Sequence, residues 1–573
     1  MTKYNFLSSR GSAMVQSLAI FAWLTVLPGT DAYYSVYLLC GSFGLACLWN
    51  HRPGRAGLPQ CIGGLLFSLA VAAANYPLYT PVSVLQNLLE LALLLLGGFV
   101  VGVQVLTWMA DRLPLDSAPG VRRNPTRVFA LCFTVVAAID LSYLLFCRYP
   151  GIMTTDSFAT MEQLLGLQAY DNVMPFWHTV TVELFVDLGL KLFGDLHAAI
   201  ALYHGVQALF LAACIAYVMT TLYQMRVPLP WMAAVFAVYA LAPHNIAYSV
   251  TLWKDIPFAG AAVLLVTALY RLLGDIGRCP FLNKLTFAVG AFGFCLWRTN
   301  GWYAFVVTTV VMAIFLYRDH KGLLAAMAAI SLLSWLLIGP VLTRWGVGET
   351  NFTEAFAIPM QQIARVIWQE RPLSAEDTQL LSQAFWLDRV RELYDPHNVD
   401  PVKYYAFRGD NLPYILENKL AYAQLYLRLA LRYPADFFTG WVEQTKGYWN
   451  GGYFYYTYTQ VLGENTLGLV QTPGQGLTAR LFAALFRYME KPEIFQWMTS
   501  IGLHTWALAA CAVTTASQKR KEFVLTLPIA VLIVGLWLGT PVYAEFRYAY
   551  PMILSMPMIL TATLYGQKER TQF

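Results

Sequence analysis

Long apolar runs separated by short polar stretches dominate the pattern of this chain. A helix needs about 20 apolar residues to cross a bilayer core roughly 30 Å thick. Runs near this length recur from one end of the sequence to the other. The pattern predicts about fourteen membrane-spanning helices and thus an all-α polytopic membrane protein. We place the spans at 11–28, 33–49, 59–77, 83–110, 128–147, 196–222, 230–248, 256–273, 284–298, 301–317, 322–342, 495–516, 523–540 and 548–565.

Basic residues in the short loops predict the orientation of these spans. Lysine and arginine collect in cytoplasmic loops of membrane proteins. With a cytoplasmic N-terminus, every basic cluster falls on the cytoplasmic side. The clusters include 51-HRPGR-55, 122-RRNPTR-127, 271-RLLGDIGR-278, 318-RDHK-321, 518-QKRK-521 and 567-QKER-570. We therefore expect a multi-pass protein of the cell membrane with both termini in the cytoplasm.

The same orientation sends the two longest polar stretches to the extracytoplasmic side. The first, 148–195, contains two amphipathic segments, and the second, 343–494, includes the aromatic run 448–458. Aromatic side chains favour the membrane interface, so we expect 343–494 to lie on the membrane surface. The predicted organisation is an N-terminal four-helix extension (1–125), a transmembrane core (126–342), the large extracytoplasmic segment (343–494) and C-terminal helices (495–573).

Composition agrees with a membrane protein. The chain is 58% hydrophobic and 12% charged, whereas an ordinary soluble domain carries about 25% charged residues. The net charge of +5 is spread over short loops. It is therefore informative about membrane topology, and we expect no nucleic-acid partner. Nine cysteines lie in or beside apolar runs without paired spacing, which is typical of packing thiols.

Several polar residues fall on the extracytoplasmic side at the ends of apolar runs. They are Asp156, His178, Lys254, Asp255, Arg298 and Arg547. A charge beside hydrocarbon is costly and usually marks a pathway or a site. A carboxylate can activate a nucleophile, and lysine or arginine can hold a phosphate. The set therefore suits chemistry on an anionic, lipid-linked substrate.

The segments around these residues resemble the GT-C class of integral membrane glycosyltransferases, and within it a bacterial group of GT-C-like proteins. The resemblance is carried by 149-YPGIMTTDS-157, 174-MPFWHT-179, 252-LWKDIPF-258, 298-RTNG-301, 359-PMQQIARV-366 and 545-EFRYAYP-551. It covers roughly residues 126–565. It implies a GT-C-like fold with a catalytic acid in the first external loop, followed by juxtamembrane helices at 157–170 and 175–190.

One departure leaves the subfamily open. Protein mannosyltransferases and lipid A aminoarabinose transferases carry adjacent acids, Asp-Glu, in that first loop. Here Ser157 follows Asp156, and the next acid is Glu162. The resemblance therefore extends to the class alone.

The resemblance assigns a general-base role to Asp156. Lys254, Asp255, Arg298 and Arg547 become candidates for binding the donor phosphate or the substrate. We expect at least one of the two arginines to hold the carrier phosphate through bidentate contacts. Further substrate-binding candidates are His178, Gln361 and Gln362.

Each candidate also has a purely structural interpretation. Asp156 can cap a helix that begins at Ser157, and Lys254 can snorkel to the interface. Glu545 can neutralise Arg547 in an ion pair. In the same way, His178 can be an interfacial histidine bonded to the backbone. The stretch 355–370, which carries both glutamines, can be a helix on the membrane surface.

The predicted function is that of an inverting, polyprenyl-phosphate-sugar-dependent glycosyltransferase. It moves a hexosyl or pentosyl group to a glycan, lipid or protein acceptor at the extracytoplasmic face of the bilayer. The sequence contains no P-loop or dinucleotide fingerprint, so no nucleotide cofactor is expected. The outer loops lack a dense carboxylate cluster, which makes a divalent metal the less favoured alternative.

Two other classes of protein remain as alternatives. A flippase for lipid-linked sugars or polysaccharide units also has many spans, but it should carry basic residues deep in several of them. A membrane O-acyltransferase expects a catalytic histidine inside a span, whereas His178 lies outside the predicted spans.

Overall fold

The computed structural model describes residues 15–20, 56–75, 84–119, 124–277, 279–348, 352–452, 465–472 and 474–566. Over these ranges the chain is helical, with isolated β-bridges and no strands. The helices before residue 345 are α1 (Leu58–Asn75), α2 (Val84–Arg112), α3 (Pro125–Cys147), α4 (Thr155–Leu164), α5 (Phe176–Phe193), α6 (Leu196–Gln224), α7 (Leu229–Leu241), α8 (Pro243–Ser249), α9 (Asp255–Leu273), α10 (Pro280–Leu296), α11 (Thr299–Leu316), α12 (Lys321–Ile338) and α13 (Pro340–Arg344).

The remaining helices build the large segment and the C-terminal part. They are α14 (Phe352–Ala355), α15 (Ala357–Trp368), α16 (Ala375–Ala384), α17 (Leu387–Leu393), α18 (Asp400–Tyr405), α19 (Leu412–Glu417), α20 (Lys419–Arg432), α21 (Pro434–Thr445), α22 (Gly476–Met489), α23 (Pro492–Thr499), α24 (Ile501–Ser517), α25 (Leu527–Gly539) and α26 (Phe546–Tyr565). Short 3-10 helices lie at Gly409–Asn411, Lys446–Tyr448 and Lys521–Thr526.

Seven helices in the described ranges are long and apolar enough to cross a membrane. They are Leu85–Arg112, Pro125–Cys147, Leu196–Gln224, Asp255–Leu273, Thr299–Leu316, Lys321–Arg344 and Lys521–Gly539. An eighth candidate is the pair α7 and α8, which are bent by 50° at their junction. Pro243 begins the second half of this pair, and proline lacks the N–H that would continue the helix. The described chain is that of an all-α membrane protein.

The predicted spans agree in position with the helices of the described residues. Each predicted span from 59–77 onward coincides with a helix or a helix pair, with ends that differ by a few residues. The spans predicted at 11–28 and 33–49 lie outside the described residues, apart from a helical stretch at 15–20. Seven or eight of the described helices are long and apolar enough to cross a membrane. The count of about fourteen crossings therefore stays a prediction.

Helix α9 lies at the centre of the bundle. Its apolar window is 94% buried, and it packs against α6, α10 and α26. Close approach to α10 depends on Gly290, because a Cβ there would come within 2.7 Å of the backbone nitrogen of Leu265. Small residues allow membrane helices to approach in this way. Since Asp255 is the first residue of α9, the packing fixes a charged residue at one end of the bundle.

The large segment has a hydrophobic core of its own. Buried side chains of α15 to α21 form it, including Val366, Leu381 and Leu425. We call residues 352–445 the outer unit. It is joined to the bundle by polar contacts, such as that of Gln444 Nε2, which donates to the Val542 carbonyl at 2.9 Å. Of the aromatic run 448–458, Tyr448 and Trp449 are buried, and residues 453–458 lie outside the described ranges. Attachment of the unit to a membrane surface stays a prediction.

Candidate functional site

The loop after α3 is held rigidly against the bundle. A side chain on Gly151 would collide with the ring of His204, so only glycine fits there. The backbone N–H of Ile152 donates to the Val250 carbonyl at 2.8 Å, and that of Leu252 donates to the Ile152 carbonyl at 3.0 Å. These contacts bring the loop before α4 beside the segment that leads into α9.

The start of α4 sets the position of Asp156. Thr154 is the N-cap residue, and its backbone N–H donates to Ser157 Oγ at 2.9 Å. Ser157 Oγ in turn donates to the Leu252 carbonyl at 2.7 Å. The helix thus begins at Thr155, two residues earlier than the capping hypothesis required. Asp156 is therefore not the cap, and its carboxylate lies in the first turn, where a negative charge is favoured by the helix dipole.

Both amphipathic segments of the stretch 148–195 are helical. The segment predicted at 157–170 forms α4, which is shorter than expected and ends at Leu164. The segment predicted at 175–190 forms α5, which continues to Phe193. Their juxtamembrane location is an expectation that follows from the resemblance.

Six charged residues meet at the N-terminal ends of four helices, α4, α9, α11 and α26. We call this set the charge cluster: Asp156, Lys254, Asp255, Arg298, Glu545 and Arg547. Arg547 Nη1 donates to Asp156 Oδ2 at 2.6 Å, and Arg547 Nε donates to Glu545 Oε2 at 2.7 Å. Arg298 forms a buried ion pair with Asp255. Five of the six were expected at one site, and the structure brings these five together.

Lys254 has a different environment from the two arginines. Its Nζ donates to the Val173 carbonyl at 2.9 Å and lies 3.7 Å from Met174 Sδ. Within the described residues no carboxylate oxygen lies within 4 Å of this ammonium group, although Asp156 and Asp255 are near enough to act on it electrostatically. Lys254 is therefore the cation of the cluster that lacks a directly bonded acid in the described structure.

Aromatic rings line the cluster. The guanidinium carbon of Arg547 lies 5.0 Å from the ring centre of Trp253 and 5.0 Å from that of Tyr548. The guanidinium carbon of Arg298 lies 4.9 Å from the same Tyr548 ring. Trp253 Nε1 donates to Thr154 Oγ1 at 2.7 Å, which connects the ring to the start of α4. Cation–π contacts of this kind stabilise a desolvated arginine in place.

The three acids of the cluster differ in accessibility. The side chain of Asp156 is 34% exposed, that of Glu545 is 10% exposed and that of Asp255 is fully buried. A molecule that enters from outside the protein therefore meets Asp156 first. This difference singles out Asp156 as the acid that can act on a substrate.

Electrostatics favour the ionised form of Asp156. Burial raises the pKa of its carboxyl, but Arg547 and Lys254 lower it by more, so the pKa lies below its ordinary value. Burial raises the pKa of Glu545, and Arg547 opposes that effect only in part. Burial lowers the pKa of Lys254, and the carboxylates of Asp156 and Asp255 offset part of the change. Asp156 is therefore ionised at neutral pH, the state in which a carboxylate has a free lone pair for a proton.

His178 lies near the cluster but is buried. Its Nε2 is 3.4 Å from the hydroxyl oxygen of Tyr203, and its Nδ1 has no hydrogen-bond partner among the described residues. Burial, aided by the charge of Lys254, lowers the pKa of His178 to about 3. The imidazole is therefore neutral. Neither of its ring nitrogens bonds to the backbone in the described structure, so the interpretation of a histidine bonded to the backbone is wrong.

Gln361 and Gln362 lie in the core of the outer unit. Gln361 Nε2 donates to the Asp395 carbonyl at 2.5 Å, and Gln362 Nε2 donates to the Phe437 carbonyl at 3.0 Å. The Tyr426 hydroxyl also donates a hydrogen bond to Gln362 Oε1 at 2.6 Å. Gln361 thus bonds the loop after α17, and Gln362 joins α15 to α21. The structure does not bring either amide to the charge cluster. The helix that carries them is a buried element of that unit.

Three residues of the site were not singled out as substrate-binding candidates from the sequence. Glu545 was considered only as a neutralising partner, and it forms that ion pair. Trp253 and Tyr548 each stand next to a residue that was singled out, Lys254 and Arg547 respectively. Their position beside a charged residue at a helix end was the available signal, since aromatic residues often accompany desolvated cations.

Metal-binding side chains and cysteines complete the description of the site. In the described part of the chain, no three or more His, Cys, Asp or Glu side chains are grouped so that they could hold a metal ion. Seven of the nine cysteines lie in this part, and each is a free thiol. Cys40 and Cys47 lie outside it.

Fold and site together define a class: an all-α membrane protein with a cluster of paired charges at one end of its helices. The chain belongs to DUF6020, a family of unknown function, whose model matches residues 170–572. The matched region holds five members of the charge cluster, and Asp156 precedes it. No curated protein and no solved structure matches the chain.

Proposed function

We propose that this protein is a GT-C-type glycosyltransferase that takes a sugar from a polyprenyl phosphate carrier. The observation that carries the proposal is the carboxylate of Asp156, which is accessible, ionised and bonded to Arg547. An acceptor hydroxyl of a glycan, lipid or protein meets this carboxylate at the membrane surface. A general base of this kind contributes about 10²- to 10⁴-fold to a rate.

The proposed reaction is a single displacement with inversion. The acceptor oxygen attacks the anomeric carbon of the donor, and its proton passes to Asp156. The bond between the anomeric carbon and the phosphate oxygen breaks, and its electron pair leaves with the polyprenyl phosphate. Asp156 then returns the proton to water. No further reactant is needed, because the phosphate ester already supplies the driving force.

Arg547 orients the base in this proposal. It bonds only one carboxylate oxygen, Asp156 Oδ2, and the described residues offer no hydrogen bond to Oδ1. Oδ1 is therefore the atom that accepts the proton. Glu545 holds the other edge of the guanidinium, so Arg547 keeps its orientation when Asp156 becomes neutral.

Lys254 is the first ligand that we assign to the donor phosphate. Arg298 is already paired with Asp255, and Arg547 with two acids. Lys254 bonds only neutral atoms within hydrogen-bond distance, so a phosphate gains most there. Charge-assisted hydrogen bonds contribute about 1.5–3 kcal/mol. Contact of an arginine with the phosphate, and a role for His178 in binding, remain predictions.

An extracytoplasmic location of the cluster is part of the proposal. Asp255 and Leu273 are the two ends of α9, which is about 28 Å long. Lys521 Nζ donates to the Leu273 carbonyl at 2.5 Å, and Arg271 lies in the last turn. Both basic residues belong to loops expected in the cytoplasm, which supports placing the charge cluster at the opposite face of the cell membrane.

A transfer assay with purified full-length protein in proteoliposomes tests the proposed function. Radiolabelled polyprenyl phosphate sugars, hexosyl and pentosyl, are added with extracts of envelope glycans, lipids and proteins as acceptors. We expect release of polyprenyl phosphate together with a labelled acceptor. A variant with Asp156→Asn and Lys254→Gln should give neither product.

The same vesicles distinguish an enzyme from a transporter. Movement of labelled lipid-linked sugar across the bilayer without transfer, retained in the double variant, would contradict the proposal and favour a flippase. Exposed Asp388, whose side chain is 93% accessible, provides the matched control, since Asp388→Asn should leave transfer unchanged.

A further inference from the structure

Helix α22 lies across the end of a candidate membrane span. The ring centres of Phe482 and Phe486 lie 5.1 and 5.5 Å from that of Tyr143 in α3. Just before α22, a Cβ on Gly474 would lie 3.0 Å from the Cα of Cys147, the last residue of α3. The inner face of α22 is therefore fixed at the depth of the last turns of this span.

The outward face of α22 is apolar. Leu477, Leu481 and Tyr488 are 72%, 61% and 58% exposed, respectively. They are spaced at i, i+4 and i+11, which places them in one stripe along a helix. At the depth of a span's end, an exposed apolar stripe can pack against the acyl chains of the bilayer.

A basic flank accompanies this stripe. Arg480 and Arg487 are both exposed and lie seven residues apart, which is two turns along one side of the helix. Neither arginine forms an ion pair with a carboxylate of the described residues. Helices that lie in the membrane interface combine an apolar face with arginine or lysine on the polar side.

We propose that α22 is an interfacial helix whose two arginines bind the headgroups of anionic phospholipids in the leaflet beside the charge cluster. The phosphates of that leaflet lie at the depth where the end of α3 holds the helix. In a zwitterionic lipid the headgroup cation competes with the arginines for the phosphate. An anionic headgroup lacks that competitor, so the pair favours it.

The segment before α22 connects it to the loop that carries Asp156. Gln471 Nε2 donates to the Gly151 carbonyl at 3.0 Å, and the backbone N–H of Thr472 donates to the Tyr149 carbonyl at 2.9 Å. Lipid bound at α22 therefore lies next to the loop of the candidate site. The lipid proposal does not depend on the proposed reaction, because it concerns the surface of the helix alone.

Site-specific photocrosslinking tests the proposal. Leu481 is replaced by the photoreactive p-benzoylphenylalanine, and the full-length protein is placed in nanodiscs of phosphatidylglycerol and phosphatidylcholine in equal amounts. Adducts with each lipid are counted by mass spectrometry. A second position, Leu332, is an exposed residue of the candidate span Lys321–Arg344 and serves as the reference for unselective lipid contact.

We expect the ratio of phosphatidylglycerol to phosphatidylcholine adducts to be about fivefold higher or more at Leu481 than at Leu332. Arg480→Gln combined with Arg487→Gln should bring that ratio to the value at Leu332 while total lipid adducts persist. Arg480→Lys with Arg487→Lys should retain the preference, because the charge is kept. Equal ratios at both positions in the otherwise unchanged protein, or no lipid adduct at Leu481, would overturn the proposal.

Discussion

The two ends of α9 both carry buried arginines, but they use them differently. At the far end, Arg271 Nη1 donates to Thr221 Oγ1 at 3.0 Å and to Gln224 Oε1 at 2.6 Å. Its Nε donates to Asn283 Oδ1 at 2.7 Å. These partners are neutral oxygens of α6 and α10, so the guanidinium fastens three helices together.

Arg520 follows the same principle near that end. Its Nη1 donates to the Thr563 carbonyl at 2.9 Å, and its Nη2 donates to the Ala562 carbonyl at 2.8 Å. Unlike Arg271, Arg520 also forms a buried ion pair, in which its Nη2 lies 3.4 Å from Glu522 Oε1. The two terminal nitrogens of Arg520 are therefore engaged by backbone carbonyls and by Glu522, which leaves little for a ligand. In the charge cluster, by contrast, acids and cations alternate, Asp156 is accessible, and Lys254 has no directly bonded acid among the described residues.

The largest expected effect is at the accessible acid. Asp156→Asn should lower the steady-state transfer rate by about 100-fold or more, because asparagine keeps the shape but does not accept the proton. Initial rates in proteoliposomes measure this effect. Asp388→Asn removes an exposed acid of the outer unit and should leave the rate within about twofold; an equal loss in both variants would deny Asp156 a special role.

The next effect concerns the affinity for the donor. Lys254→Gln should raise the KM for the polyprenyl phosphate sugar by about 10- to 100-fold, as expected for loss of a charge-assisted hydrogen bond. Lys254→Arg should recover part of the affinity. The matched control is Arg271→Gln at the far end of α9. An unchanged KM in Lys254→Gln would place the phosphate elsewhere.

The pH dependence tests the partnership of Asp156 and Arg547. The pKa of Asp156 lies below its ordinary value because Arg547 and Lys254 outweigh the effect of burial. Removing the charge in Arg547→Gln should raise that pKa, so the acid limb of the kcat/KM profile should move to higher pH. Arg547→Lys keeps the charge and should shift the limb less. A limb that stays in place in Arg547→Gln would mean that another group titrates.

The smallest effect on activity is expected at the far end of α9. Arg271→Gln removes hydrogen bonds from a charged donor, each contributing about 1.5–3 kcal/mol, and should lower the midpoint of thermal unfolding in detergent. Transfer per folded molecule should be unchanged. If stability stayed the same while transfer fell, the contrast between the two ends would be wrong.

Apolar patterning predicted the positions of the helices well. Span 196–222 corresponds to α6, and span 256–273 corresponds to α9 within two residues. This succeeds because an apolar run long enough to cross a membrane must satisfy its backbone within a helix. The number of crossings is harder to predict, since α7 and α8 show that one apolar run can bend by 50° within its length.

The partners within the site could not be predicted from the sequence. Asp156 and Arg547 are separated by 391 positions. They meet because α26 packs against α9 and because the loop before α4 is bonded to the segment that leads into α9. A charge at the end of an apolar run is costly, and it can be recognised in the sequence for that reason. Five members of the cluster were predicted in this way. Gln361 and Gln362 show the converse, because their amides are equally suggestive in sequence but hold the outer unit together.

Helix boundaries also set a limit on prediction from the sequence. Thr154, Asp156 and Ser157 are all residues that can cap a helix. The choice among them depends on the Leu252 carbonyl, which accepts the hydroxyl proton of Ser157 and comes from a distant part of the chain. The sequence therefore supported a capping role for Asp156 that the tertiary contact excludes.

A single-turnover measurement tests the central claim most directly. The protein is loaded with radiolabelled polyprenyl phosphate sugar, excess acceptor is added, and transfer is followed in the wild type and in Asp156→Asn. We expect both proteins to bind the donor equally and the asparagine variant to lose the transfer step. Transfer at the wild-type rate by donor-loaded Asp156→Asn would contradict the assignment of Asp156 as the base.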